Sequence, residues 1–252
     1  MTLCPQHVLP YDYFMLHFET LDEREIIKTI GELRNRIAER FPTRGLTQTA
    51  THLLDMSRVT AAEAAALSKP NWGLRLLAMA TVAAGLYGFY KLVGFYEVFI
   101  VDKLTLTEFT QGLEASLNII LICGLAIAFF VRLESRYKRL KALNGLHRLR
   151  AISHVIDMHQ LTKDPASILG AHRTGSSPRR DLSRDQLLRY LDYCTEMLSL
   201  TGKLAALYAQ NLPDDSVIAA VNDVENLTTT LSRKIWQKIV IIKDEPQDIL
   251  AA

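Results

Sequence analysis

The side chains best suited to chemistry are gathered in one short segment, HVIDMHQLTKDP, from His154 to Pro165. On a helix, His154 and Asp157 share a face and could hydrogen-bond. His159 lies on the opposite side, so one helix cannot present it to the same ion as His154 and His147. A metal site would therefore need ligands from another helix or copy. Three roles stay open for the segment: polar contacts in a helical bundle, a surface for a partner or ligand, and metal binding or pH sensing.

No catalytic motif accompanies this segment. The chain contains no G-x-S-x-G, no glycine-rich phosphate loop and no H-E-x-x-H. Cys4, Cys123 and Cys194 share no metal or redox spacing, and we expect the latter two to be small buried hydrophobes. We therefore expect no enzyme, no cofactor and no metal site.

Two apolar stretches determine the class of protein that contains these residues. They run from Leu74 to Tyr90 and from Leu113 to Val131. Each is close to the ~20 residues that a helix needs to cross ~30 Å of hydrocarbon. We predict an all-α chain with a two-span transmembrane helical hairpin, the spans covering about 74–95 and 112–131.

The distribution of basic residues predicts the orientation of the hairpin. Those near the outer ends of the two stretches are Arg58, Lys69, Arg75, Arg132, Arg136, Lys138, Arg139, Lys141, Arg148 and Arg150. The connecting loop has only Lys103. Because cytoplasmic loops carry the excess of Lys and Arg, both termini are expected in the cytoplasm. The run Arg132, Arg136, Lys138, Arg139 and Lys141 could also contact anionic lipid headgroups. A formal net charge of only +2 argues against a nucleic-acid partner.

Three polar residues fall within or beside the predicted spans. With a turn near Lys103, antiparallel pairing places Lys91 between the levels of Glu114 and Asn118, so we predict that Lys91 pairs with Glu114, with Asn118 close by. Alternatively, Lys91 and Glu114 each extend unpaired to water at the outer interface, or they line a pore.

Small residues recur at helical spacing in both spans. They are Ala80, Ala84 and Gly88 in the first and Gly124 and Ala128 in the second. Small faces let helices approach closely, within the hairpin or between copies. A chain with two spans cannot enclose a pore alone, so conduction would need an oligomer, and we expect a homo-oligomer.

Helical signals also cover the region before the hairpin, residues 1–69. Capping boxes at Thr20/Glu23 and Thr60/Glu63 predict two helix starts, with a short helix at about 47–57 between them. Ile26, Ile30, Leu33 and Ile37 should form the apolar face of the first helix. The N-terminal sequence MTLCPQHVLPYDYF has no pattern of a cleaved signal peptide.

The second span has no helix stop before Pro165, because Gly145 alone is only a mild interruption. We therefore predict one helix from about Leu106 to Leu161, roughly 80 Å long, with a capping box at Thr105/Glu108. A turn at Asp102–Leu104 precedes it, and a mobile loop at Gly170–Arg180 follows it.

Two further helices complete the predicted cytoplasmic part of the chain. One starts at a Ser183/Gln186 capping box and runs to about Gln210; the other, with near-heptad apolar spacing, runs from about Asp215 to Ile242. Both have broad apolar faces that must be buried. We predict that they form a three-helix bundle with the end of the long helix. The domains are then 1–69, 70–131 and 132–252.

These features predict an inner-membrane interaction protein of a bacterial type, acting as scaffold, sensor or assembly subunit with an unknown protein partner. The order of its elements, though no residue motif, resembles the SLATT-type two-span effectors of bacterial conflict systems. That resemblance implies the alternative, an oligomeric pore-forming effector gated by the cytoplasmic bundle. A membrane-bound enzyme that uses the His154 segment is a third class.

Overall fold

The computed structural model describes residues 20–99, 106–161, 163 and 182–244. Within these residues the chain is helical and contains no strand, so the all-α prediction is confirmed. The helices of this part of the chain are α1 (Glu23–Arg40), α2 (Gly45–Ser68), α3 (Trp72–Phe99), α4 (Leu106–Leu161), α5 (Arg184–Asn211) and α6 (Asp215–Asp244). Thr105, the predicted turn at Asp102–Leu104 and the predicted loop at Gly170–Arg180 lie outside the described residues.

The start of α1 differs from the prediction. Asp22, not Thr20, is the N-cap, and its side chain accepts a hydrogen bond from the Arg24 N–H at 2.8 Å. Aspartate caps a helix as well as threonine does, and Asp22 directly precedes the first helical residue. The predicted apolar face is confirmed, because its four members are all buried: Ile26, Ile30, Leu33 and Ile37.

The second correction concerns α2, which is one helix where two were predicted. Thr60 is not an N-cap but a buried residue inside the helix, 1% exposed. It lies on the same face as the buried Leu53, Ser57 and Ala64. No glycine or proline interrupts residues 57–60, so the helix continues and keeps this face in the core.

The last three helices follow the predicted boundaries closely. The long helix α4 extends over Leu106–Leu161, as predicted. The capping box that opens α5 is complete, since the Ser183 side chain accepts from the Gln186 N–H and the Gln186 side chain accepts from the Ser183 N–H. Helix α6 continues two residues beyond the predicted Ile242, to Asp244.

The chain divides into two compact units. Lys69–Leu140 form the smaller one, which we call the hairpin unit, and the residues before and after it form the larger one, the helical unit. Each helix of the helical unit contributes to a single core. Fully or almost fully buried examples are Ile30 of α1, Leu53 of α2, Leu149 of α4, Leu198 of α5 and Ile235 of α6. The N-terminal helices α1 and α2 therefore share one core with α5, α6 and the last part of α4.

Candidate functional site

The hairpin unit is held together by a narrow seam between α3 and α4. Gly85 provides the close approach, because a Cβ added there would lie 3.7 Å from the Cys123 Sγ. Half-buried residues continue the seam on both helices at helical spacing: Leu74, Ala78, Val82 and Phe89 on α3, and Ile119, Ala126 and Phe130 on α4. Cys194 is buried as expected, whereas Cys123 in this seam is only half-buried.

Outside the seam, both helices of the hairpin unit expose apolar side chains. Large exposed examples are Trp72, Leu76, Leu77, Met79, Leu86, Leu117, Ile120, Leu121, Ile122, Leu125 and Phe129. The most apolar 18-residue window within Gly45–Lys91 has a mean hydropathy of 1.3, and the one within Thr110–Leu161 has a mean hydropathy of 2.2. Within the described residues, 0% of either window is buried by the chain itself. By length and composition, two helices are therefore apolar enough to span a membrane.

An acidic residue, Glu134, joins the two helices at one end of the hairpin unit. Its carboxylate accepts a hydrogen bond from the Asn71 N–H at 3.0 Å. It also pairs with the Lys138 Nζ at 3.1 Å and the Arg75 Nε at 3.5 Å. The Asn71 hydrogen bond and these two cations lower the pKa of Glu134, against the opposing effect of partial burial.

Glu134 was not among the residues predicted from the sequence, although a signal was present. It is the only acidic residue between Arg132 and Arg150, and Lys138 follows at the i,i+4 spacing of a helical ion pair.

The three predicted polar residues of the spans, Lys91, Glu114 and Asn118, are all exposed. Counting six residues from the Gly85–Cys123 contact in both directions places Lys91 level with Leu117, between Glu114 and Asn118. The Lys91 ammonium lies 5.7 Å from the centre of the Tyr87 ring. Within the described residues no ion pair joins Lys91 to Glu114, so their pairing stays a prediction.

The small residues predicted to pack helices lie away from the seam. Ala80, Ala84, Gly88, Gly124 and Ala128 are all exposed. A Cβ added at either Gly88 or Gly124 would meet nothing within 4 Å. Their packing role stays a prediction.

The basic residues predicted to contact lipid headgroups have different surroundings. Arg132, Arg136 and Arg139 are exposed, whereas Lys138 is half-buried beside Glu134. Lys141 is half-buried in the helical unit. Their contact with headgroups stays a prediction.

In the helical unit, the residues of the His154 segment separate. His154 is exposed, and Asp157 accepts a hydrogen bond from Gln160 Nε2 at 2.6 Å. The His159 Nε2 lies 2.8 Å from the Thr49 Oγ1 of α2. Burial, and then the nearby Lys163, lower the pKa of His159. Among the described residues no group of three His, Cys, Asp or Glu side chains is arranged to hold a metal ion.

Exposed residues of α4 help to line two adjoining depressions on the surface of the helical unit. We call the two depressions together the α2–α4 groove. The first has a volume of about 470 Å³, and its lining includes His52, Met56, Arg148, Ile152 and Val155. The second, also about 470 Å³, is lined by Arg44, Gly45, Val155, Met158, His159, Lys163 and Tyr190. Val155 belongs to both and is 43% exposed, and Met158 is 67% exposed. The lining of the groove thus combines exposed apolar side chains with polar and basic ones.

A polar network fixes α4 against α2 and α5 near this groove. The Tyr208 hydroxyl donates to Glu63 Oε2 at 2.9 Å, and Arg148 forms an ion pair with the same oxygen. Burial, and then the Glu63 carboxylate, raise the pKa of Tyr208. The ring of Tyr208 lies directly against Gly145, where a Cβ would overlap with it. From the sequence, Gly145 was interpreted only as a mild helix interruption, so this network was not predicted.

A second polar contact ties the end of α4 to α6. The Lys238 ammonium donates to Gln160 Oε1 at 2.7 Å and to the Gln160 carbonyl at 3.2 Å. Gln160 is 2% exposed, so these bonds satisfy a polar side chain that is buried in the core.

Comparison with protein families, with curated proteins and with solved structures finds no match to this chain.

Proposed function

We propose that this chain is an integral membrane protein in which the hairpin anchors a helical interaction unit. The observation that carries the proposal is the uncovered apolar surface of α3 and α4. A core helix of a water-soluble protein buries its most apolar window, whereas here 0% of either window is buried by the chain. Contiguous apolar surface of this kind marks a membrane or protein contact.

The ends of the apolar segments support an inner-membrane orientation with both termini in the cytoplasm. Arg132, Arg136 and Arg139 are exposed just after the second segment, at positions where lipid headgroups would meet them. Glu134 ties Arg75 and Lys138 into a cluster at the same end of the hairpin. The positive-inside rule assigns such an end to the cytoplasm, and the proposed location is a bacterial inner membrane.

The helical unit would serve as scaffold, sensor or assembly subunit through the α2–α4 groove. Val155 and Met158 expose apolar surface there, and Lys163 adds a positive charge to the lining. A partner helix or loop with apolar anchors and an acidic residue near Lys163 suits this surface.

The test has a membrane arm and a partner arm. Full-length protein in bacterial membranes should resist extraction by alkaline carbonate; quantitative release would refute the anchor. A complex with a cytosolic protein, isolated after mild extraction, should weaken at least about fivefold with Val155→Asp, which buries a charge in the contact. The control Val59→Asp changes a similarly exposed valine of α2 outside the groove and should leave binding unchanged. Equal effects of the two changes on binding would refute the proposal that the partner binds in the α2–α4 groove.

A second candidate function is an oligomeric pore. It is favoured by the exposure of Lys91, Glu114 and Asn118 at nearly one level of the hairpin unit. Purified protein in vesicles should then release an entrapped ion, and Lys91→Met should change the selectivity or rate of that release. Tight vesicles at high protein content would exclude this candidate.

A further inference from the structure

The exposed side chain of Asn118 is the feature of the hairpin unit that lipid cannot satisfy. Asn118 lies five residues inside the second apolar segment, which begins at Leu113, so it is about 7.5 Å from that end at 1.5 Å per residue. Within the described part of the chain its amide makes no hydrogen bond, and it points away from the seam marked by Cys123. An amide is too short to reach the interface as Lys91 can. In hydrocarbon it needs a polar partner.

The surroundings of Asn118 define a face of α4 on which a helix could pack. Gln111, Asn118 and Leu125 recur at intervals of seven residues, and all three are exposed. A seven-residue repeat keeps two parallel helices in contact over several turns. The α3–α4 seam uses a different face, so this face remains uncovered within the hairpin unit.

The partner that fits this face is a second copy of the same chain. Two copies inserted with the same orientation present α4 parallel to α4, and every residue then meets its own counterpart at the same depth. An asparagine amide is both donor and acceptor, so two Asn118 side chains can satisfy each other across a twofold axis. Glu114, one turn nearer the end of the segment, can reach water and need not enter the contact.

We propose that α4 mediates self-association in the membrane through a contact centred on paired Asn118 side chains. This inference rests on the proposed membrane anchor. It gives the expected homo-oligomer a specific interface, and it predicts which residues come together between copies.

Disulfide cross-linking of the full-length chain in membranes tests the contact. Cys4→Ser and Cys123→Ala remove competing thiols, and Leu125→Cys then places a thiol on the proposed face, one repeat from Asn118. The matched control is Ile127→Cys, which lies two residues away on the opposite side of α4 and is 48% exposed against 62% for Leu125. Because a disulfide forms only between close Cβ atoms, a membrane-permeant oxidant should give at least about five times more covalent dimer from Leu125→Cys than from Ile127→Cys.

Two additional changes in the Leu125→Cys background test Asn118 itself. Asn118→Leu should raise the dissociation constant of the dimer roughly 3- to 30-fold, the effect of losing an interhelical side-chain hydrogen bond. Asn118→Gln keeps a donor and an acceptor and should retain most of the cross-link. Equal cross-linking at positions 125 and 127, or no effect of Asn118→Leu, would overturn the inference.

Carbonate extraction of the same samples distinguishes a failure of the self-association from a failure of the proposed membrane anchor. Protein that resists extraction but gives no Leu125→Cys dimer contradicts the self-association and leaves the membrane anchor in place. Protein that is released by carbonate contradicts both.

Discussion

Gly145→Ala should strongly destabilise the helical unit, although alanine is the better helix former. A Cβ at this position would overlap with the hydroxyl and Cζ of Tyr208 and would lie 3.1 Å from its Cε2. Tyr208 is 0% exposed, so its ring is enclosed by the core and cannot move aside into solvent. The ring would have to shift, and the 2.9 Å hydrogen bond to Glu63 would be lost.

The size of the effect follows from three contributions. Overpacking a core costs about 1–3 kcal/mol, and a lost hydrogen bond to a charged group costs about 1.5–3 kcal/mol. The better helix propensity of alanine returns at most ~1 kcal/mol. We therefore expect the free energy of unfolding to fall by about 1.5–5 kcal/mol, the sum of these contributions.

Pulse proteolysis of the detergent-solubilised chain across a urea series measures this change. Gly31→Ala is the matched control, because it also lies inside a helix, and its Cβ would make only an ordinary 3.9 Å contact with Leu54. This control should be neutral or stabilising. In a Tyr208→Phe background the cost of Gly145→Ala should shrink, since the overlapping hydroxyl is gone. A Gly145→Ala protein as stable as the unmodified one would refute the reasoning.

Three further predictions concern the helical unit. Because the pKa of His159 is lowered in the fold, the unfolded chain binds more protons below pH ~6.5, so stability should decrease as the pH falls from about 7 to about 5. His159→Gln should reduce that slope and the exposed His154→Gln should not; identical slopes would contradict the assignment. Burial raises the pKa of the Cys194 thiol to about 12, so alkylation near pH ~8 should label Cys194 only after unfolding, and rapid labelling of folded protein would be the contrary result. Ser183→Ala should lower the urea midpoint by removing a cap worth ~1 kcal/mol, whereas Ser199→Ala on the exposed face of α5 should have little effect.

Helix positions were predictable where apolar periodicity and capping chemistry agree. The Ser183/Gln186 box and the length of α4 follow from local sequence, because a capping serine and the absence of proline act within a few residues. The predicted helix start at Thr60 was wrong because burial in the core outweighs a local capping signal. Thr60/Glu63 matches a capping box in sequence, but burial of Thr60 against the core keeps α2 continuous.

The polar contacts around the α2–α4 groove were less predictable because they join residues far apart in the chain. Tyr208 and Glu63 are separated by 145 residues, and His159 and Thr49 by 110. No spacing rule links such pairs. The exposed position of Asn118 likewise depends on which face of α4 meets α3, and that choice is set by the Gly85–Cys123 approach.

Accessibility of spin labels along α4 tests most directly whether lipid is the solvent of the hairpin. The labels are attached at Ile120→Cys in the hairpin unit and at His154→Cys in the helical unit, two exposed positions of the same helix, in reconstituted vesicles. We predict that the label at position 120 collides with oxygen and is shielded from a water-soluble nickel complex, while the label at position 154 collides with nickel. Ready access of nickel to position 120 would contradict the account.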